Sequence, residues 1–172
     1  MNNTNWVIDN AHSEIAFKVK HMMISTVTGH FQDFQASAIT DGENFDNASI
    51  EFTAKTDSIN TKNKDRDAHL KSDDFFNSEQ FPEMKFVSKS FNGEQLIGEL
   101  TIRDITKEIA LDAELNGIAV DPYGQTKAGF EIKGEINRKD FNLTWSAVTE
   151  AGSIVVSDKV KLVIDVQFIK QA

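Results

Sequence analysis

The chain has 172 residues, 18 Lys+Arg against 27 Asp+Glu, and no cysteine. A net charge of −9 argues against a broadly basic nucleic-acid or anionic-membrane surface, and the missing thiols exclude disulfides, thiolate metal sites and a cysteine nucleophile. The 40% hydrophobic content is too high for a disordered chain, and apolar runs such as Ile154-Val155-Val156 fall far short of the ~18 residues of a spanning helix.

The opening Met1-Asn2-Asn3-Thr4-Asn5-Trp6 has no basic or apolar leader pattern. The expectation is a cytoplasmic protein, or a periplasmic one if a signal has been removed. Residues 6–8 open the sheet. Ile15, Phe17 and Val19 then alternate with Ala16, Lys18 and Lys20. Residues 29–39 read as one strand with His30 and Phe31 on opposite faces. Ile50, Phe52 and Ala54 alternate with Glu51, Thr53 and Lys55. Residues 62–81 break the period: Asn63 or Asp67 caps a short helix with Leu70 inward, and residues 72–76 form a second capped turn of helix. Pro82 returns the chain to extended structure.

The two-residue period resumes at Met84 and Phe86, then at Leu96, Gly98, Leu100 and Ile102, and at Ile109, Leu111, Ala113 and Leu115. It continues through Phe130, Ile132, Gly134 and Ile136, a weaker strand over 147–154, and Val160, Leu162, Ile164, Val166 and Phe168. Asp41-Gly42, Asn92-Gly93, Asn116-Gly117 and Asp121-Pro122-Tyr123-Gly124 mark turns. Eight or nine strands, each with one apolar face, predict an antiparallel all-β domain over 1–172. A two-sheet sandwich or a closed barrel would hide those faces. The 13 phenylalanines fill a core or wall a dry pocket.

Longer strings narrow this choice. They are Trp6-Val7-Ile8-Asp9 with Ala11-His12-Ser13, Val27-Thr28-Gly29-His30-Phe31, and Arg66-Asp67-Ala68-His69-Leu70 leading to Phe75-Phe76 and Phe81-Pro82. Gly98 to Lys107, Ala128-Gly129-Phe130 and Arg138-Lys139-Asp140-Phe141 complete the set. With these strings the chain resembles the YceI-like polyisoprenoid-binding family over nearly its whole length. The resemblance implies an antiparallel lipocalin-like β-barrel of about eight strands with a short helical excursion near 66–80. It implies a bacterial lipid-binding protein, a homodimer, whose ligand is a polyprenyl phosphate, an isoprenoid quinone or a fatty amide. Many members are periplasmic. Where many relatives have Gly after Asp140-Phe141, this chain has Asn142, which tolerates left-handed angles.

On that reading the function is non-catalytic binding, storage or transport of a long-chain isoprenoid lipid. The lipid is the only bound group expected, with no cofactor. The apolar tunnel is walled by Phe17, Val19, Phe31, Phe52, Phe86, Leu100, Ile102, Leu111, Phe130 and Ile132, some of which plug one end. His21, Arg66 and His69 form a polar mouth for a head group; alternatively Arg66 pairs locally and fastens its segment, because Asp65 and Asp67 oppose an anion. His12, His21, His30 and His69 lack metal-ligand spacing, so no metal is expected. No nucleophile elbow or phosphate loop is present, so an enzyme is not expected. The rival readings are a fatty acid or fatty amide carrier, an enzyme acting on a small hydrophobic substrate at the barrel mouth, and a dimeric module with a solid core. No nucleic-acid partner and no stable membrane insertion are expected.

Overall fold

Alternation along the chain is realised as strands β1 (Asn3–Ile8), β2 (Glu14–His21), β3 (Ser25–Phe31), β4 (Phe34–Asp41), β5 (Asn44–Lys55) and β6 (Ile59–Asn60), followed by helix α1 (Lys64–Lys71). Then come β7 (Glu83–Phe91), β8 (Gln95–Ile102), β9 (Ile105–Val120), β10 (Thr126–Asn137) and β11 (Lys159–Lys170). The computed structural model describes residues 3–145 and 156–172, so the strand expected over 147–154 lies outside the described residues.

Six of these strands are halves of three kinked ones. β1 and β2 pair antiparallel with the same edge of β11, through Trp6↔Lys170 and Ile15↔Ile164. β4 and β3 pair on β1 and β2, and β5 and β6 pair on β4 and β3. Residues 29–39 are therefore not one strand: the ladder breaks at Gln32-Asp33. With the kinks joined, eight long strands follow one another in sequence order. Each bonds to the next, and β11 closes on β1. The protein is a closed antiparallel eight-stranded barrel, and closure removes the free edges that invite aggregation.

Hairpin connections alternate between the two barrel ends. The turns at 41–44, 91–95 and 120–126 lie at one end with the start of β1 and the end of β11. An aromatic cluster plugs that end. Trp6 stands 4.9 Å from Phe45, Phe45 5.0 Å from Phe130, and Phe130 6.2 Å from both Phe91 and Phe168. Trp6 is fully buried, and its indole N–H donates to Thr40 Oγ1 at 2.7 Å, so the buried polar tip is satisfied. The turn at 21–25, the segment 61–82, the turn at 102–105 and the β10–β11 connection lie at the other end.

Two expectations are corrected. Residues 72–76 form successive turns, not a helix: Ser72 N–H closes α1 on the His69 carbonyl, and Phe76 N–H returns to the Leu70 carbonyl at 3.0 Å. That reversal buries Phe75 and Phe76. Asn116-Gly117 is not a turn, because β9 runs on to Val120 with a register shift opposite Gly129/Phe130. Leu115 stands beside the extra residue Asn116 and keeps the face of its partner Phe130, yet it is 37% exposed, not buried as expected. The other turns use the expected chemistry. Asp121 Oδ1, for example, accepts from Tyr123 N and Gln125 N at 2.9 Å each. Asn142 is left-handed at φ 62°, and its N–H bonds back into the preceding 3-10 turn.

Candidate functional site

Inward side chains of the barrel surround an elongated apolar cavity of about 200 Å³, with about 1510 Å³ of non-atom space along it including its open part. Trp6 and Phe45 lie beyond its floor. The ten residues expected to wall a tunnel all stand on this wall. Parity places them there: β2 turns Ile15, Phe17 and Val19 inward, β10 turns Phe130 and Ile132, and β8 turns Leu96, Leu100 and Ile102.

Burial of these inward residues changes along the barrel axis. Phe168 and Val166 of β11 are buried, whereas Ile164, Leu162 and Val160 are half-buried. The same gradient runs from Ile15 to Phe17 and Val19 on β2, and from Phe130 to Ile132 and Ile136 on β10. The cavity is thus sealed at the aromatic plug and is less covered toward the opposite end along β2, β10 and β11, whereas Ile102 of β8 and Met84 of β7 stay buried there. There α1 supplies Leu70, and the turns after it supply Phe75 and Phe76. Arg103 fastens this cover to the barrel rim, donating from Nη1 to the Asp73 and Phe75 carbonyls at 2.9 and 3.1 Å and from Nη2 to Asp73 Oδ1 at 3.0 Å.

The three residues expected at a polar mouth are not on the cavity wall. Arg66 donates from Nε to Thr61 Oγ1 at 2.8 Å and from Nη2 to the Thr61 carbonyl at 2.7 Å, while Asp67 accepts from Thr61 N at 2.9 Å. These bonds fix α1 to β6. His69 Nε2 lies 2.8 Å from Asp74 Oδ2, and its ring meets Phe75 and Trp145 edge-on. His21 ends β2 and bridges to Val156. His12 and His30 pair with Asp9 and Glu14, both at 2.8 Å. Among the described residues no three of His, Cys, Asp or Glu gather as a metal site requires.

The polar wall residue that the sequence reading missed is Arg138, which is 3% exposed. A signal for it existed: Arg138 continues the inward parity of Phe130, Ile132, Gly134 and Ile136. Its Nη1 donates to the Leu143 and Trp145 carbonyls at 2.6 Å each, its Nε to the Ser157 carbonyl at 2.9 Å, and its Nη2 to the Val156 carbonyl at 3.3 Å. Asp158 Oδ1 lies 3.6 Å away. Burial pushes this guanidinium below its ordinary range, opposed by Asp158. Four of the five N–H donors bond backbone carbonyls, so Arg138 staples the two sides of the β10–β11 connection. At the plugged end, Lys127 Nζ is 2.7 Å from Asp9 Oδ2 and 3.4 Å from Asp121 Oδ2. The bond to Lys127 lowers the Asp9 carboxyl below its usual range.

A family model described as YceI-like domain matches residues 6–168. A UPF0312 protein of Staphylococcus epidermidis is 39% identical over 168 residues, covering 96% of this chain and 97% of that protein. The crystal structure of a Campylobacter jejuni YceI protein superposes with a TM-score of 0.75 at 36% identity, covering 89% of this chain and 90% of that one. A polyisoprenoid binding domain from Saccharophagus degradans, implicated in plant cell wall breakdown, shares the fold at a TM-score of 0.69 and 15% identity, covering 96% and 98%.

Proposed function

From the premise that the chain belongs to the YceI-like domain family, we propose that it binds and carries a long-chain isoprenoid lipid, without chemistry, by enclosing the tail in the barrel. The observation that carries this reading is the elongated cavity whose wall, among the described residues, has one polar member, Arg138, with four of its five N–H donors bonded to backbone carbonyls. Such a wall rewards loss of water from hydrocarbon and offers little to a substrate's polar groups. The description of the Saccharophagus degradans domain as polyisoprenoid binding supports the same ligand class.

Each methylene taken into this apolar lumen gains about 0.8 kcal/mol gross, before ordering costs. A tail longer than the lumen leaves through the half-exposed end or widens it. Head-group recognition belongs outside the cavity.

Organic extraction of freshly purified protein, followed by mass spectrometry, tests the reading. A stoichiometric polyprenyl species or quinone is expected. A stoichiometric fatty acid or fatty amide would replace the ligand class. An empty extract, together with no uptake of geranylgeraniol by the purified barrel, would overturn lipid carriage.

A further inference from the structure

The β2–β3 hairpin tip is His21-Met22-Met23-Ile24-Ser25, and it stands at the half-exposed end of the barrel. Ile24 N–H closes the turn on the His21 carbonyl at 3.2 Å. Both central residues have positive φ, 53° at Met22 and 59° at Met23. This is the pattern of a type I′ turn, which selects Asn-Gly because larger side chains crowd the left-handed backbone. Two methionines there oppose the local preference. They also face solvent: Met22 is 36% exposed, Met23 62% and Ile24 83%. The tip therefore costs energy in backbone conformation and in apolar exposure, and no contact among the described residues explains it.

A second observation lies beside it. On the outer face of the same hairpin, Lys18 of β2 sits directly opposite Lys161 of β11. Like charges in that position destabilise a sheet. Neither lysine forms an ion pair with a described residue. Among the described residues Lys20 Nζ donates only to Thr26 Oγ1, and Lys159 Nζ lies 3.5 Å from Glu135 Oε1. Among the described residues these four lysines on two adjacent strands make one ion pair, with Glu135, which also stands opposite Lys161 on β10, on a chain whose net charge is −9. The distant acidic groups are screened beyond a Debye length of ~8 Å at physiological salt, so a docked surface senses the local patch.

We infer that the Met22-Met23-Ile24 tip is a docking finger that enters an anionic lipid surface, with Lys18, Lys20, Lys159 and Lys161 resting on the phosphates. An apolar finger beside a basic flank is the chemistry of a peripheral membrane contact. It would bring the half-exposed end of the cavity to the bilayer, where a lipid tail can pass between them. The inference deepens the lipid-carriage reading and rests on it for its purpose; the docking itself is measured without any ligand.

The chain has no cysteine, so Ile24→Cys gives a unique site for a polarity-sensitive fluorophore. Tyr123→Cys, 89% exposed at the plugged end, is the control. Both are mixed with vesicles of phosphatidylcholine containing phosphatidylglycerol, and with vesicles of phosphatidylcholine alone. The tip label is expected to blue-shift on the anionic vesicles and the control label to stay unchanged. Lys18→Glu reverses one charge of the patch and places a complementary charge opposite Lys161, with Thr28 on its other side, so no like charges face each other across the ladder. It is expected to weaken vesicle co-flotation about tenfold or more. The Met22→Asn/Met23→Gly double variant installs the preferred turn residues and is expected to slow transfer of geranylgeraniol from vesicles, with equilibrium uptake from solution unchanged.

Absence of a tip shift on either vesicle overturns the docking, and uptake from solution would then leave lipid carriage standing. A tip shift with no uptake of lipid supports the docking and removes lipid carriage. A tip label that responds to protein concentration without vesicles, with dimers in sedimentation, assigns the tip to a second copy of the chain and overturns the inference.

Discussion

Replacing Arg138 by Ala removes five N–H donors from a site 3% exposed, and leaves the carbonyls of Leu143, Trp145, Ser157 and Val156 without their partner. Each charge-assisted bond contributes about 1.5–3 kcal/mol. The four do not add, because one side chain makes them all and water reaches some of the carbonyls once it is gone. Losing one member of a buried charged cluster costs about 3–5 kcal/mol, and we take about 4 here. For a chain of this length that lowers Tm by roughly 8–16 °C. Lysine keeps the charge but has three donors and no planar fork, so Arg138→Lys is expected to recover about half of the loss. Thermal melts followed by circular dichroism at neutral pH measure both variants. Proteolysis is expected to open the alanine variant first within the β10–β11 connection. An Arg138→Ala melt within the roughly 2–4 °C that corresponds to 1 kcal/mol would refute the staple. So would a lysine variant indistinguishable from wild type.

The ion cluster at the plugged end sets a pH dependence. Asp9 and Asp121 are held below the usual carboxylate range, Asp9 chiefly by its bond to Lys127 and Asp121 chiefly by the Gln125 N–H. Their contribution is complete above their unfolded pKa of about 4 and is lost as pH falls through the lower folded values. Lys127 is held above its usual range by Asp9, so its contribution is lost only as pH rises past about 10.5. The Tm difference between wild type and Lys127→Met is expected to be constant near neutrality and to shrink below about pH 4; a difference that grows on acidification would contradict the pairing. Affinity for isoprenoid alcohols of increasing length, measured by displacement of a fluorescent lipid, is expected to rise with each added isoprene unit and to level off once the lumen is full. Gly134→Ala is expected to fold and to shift that plateau to shorter tails, because its Cβ would stand 2.4 Å from Leu111 Cδ2 and drive that side chain into the lumen.

Which features were legible follows from how far each signal reaches. Two-residue alternation is local and marks a face, so the wall residues from Phe17 to Ile132 were readable strand by strand. That the faces close into a barrel is not local. It rests on pairings such as Ile8↔Phe168, and the long family-like strings supplied it. Parity gives a face and not a depth: Leu115 stands opposite inward Phe130, beside the bulge, and is still 37% exposed. The polar mouth failed as a cavity feature for a different reason. Arg66, His69 and His21 are near the right end of the barrel, but each has a closer partner, in Thr61, Asp74 and Val156 respectively. Sequence shows that a charge is present and not which neighbour satisfies it. Arg138 is the converse: its parity pointed inward, while its four acceptors come from segments whose approach only the fold brings about.

A barrel with this many inward phenylalanines could fill itself, so the open lumen needs a cause. Three glycines supply part of it. A Cβ at Gly29 would meet Phe17 Cζ at 2.3 Å, one at Gly98 would meet Phe86 Cζ at 2.5 Å, and one at Gly134 would meet Leu111 Cδ2 at 2.4 Å. Each large wall side chain therefore lies flat across a neighbouring strand over a residue with no side chain, instead of projecting toward the axis. Ala36 and Ala113 leave the wall low elsewhere. The rings that do project, Phe45, Phe91, Phe130 and Phe168, meet at the plugged end with Trp6 and supply much of the solid core there. Large and small residues are thus segregated along the axis, one end packed for stability and the other kept hollow. A solid-cored structural module gains nothing from that segregation, because the glycines forgo buried apolar area and cost backbone entropy in strands. A carrier does gain, since the vacant wall positions define the space in which a tail can lie.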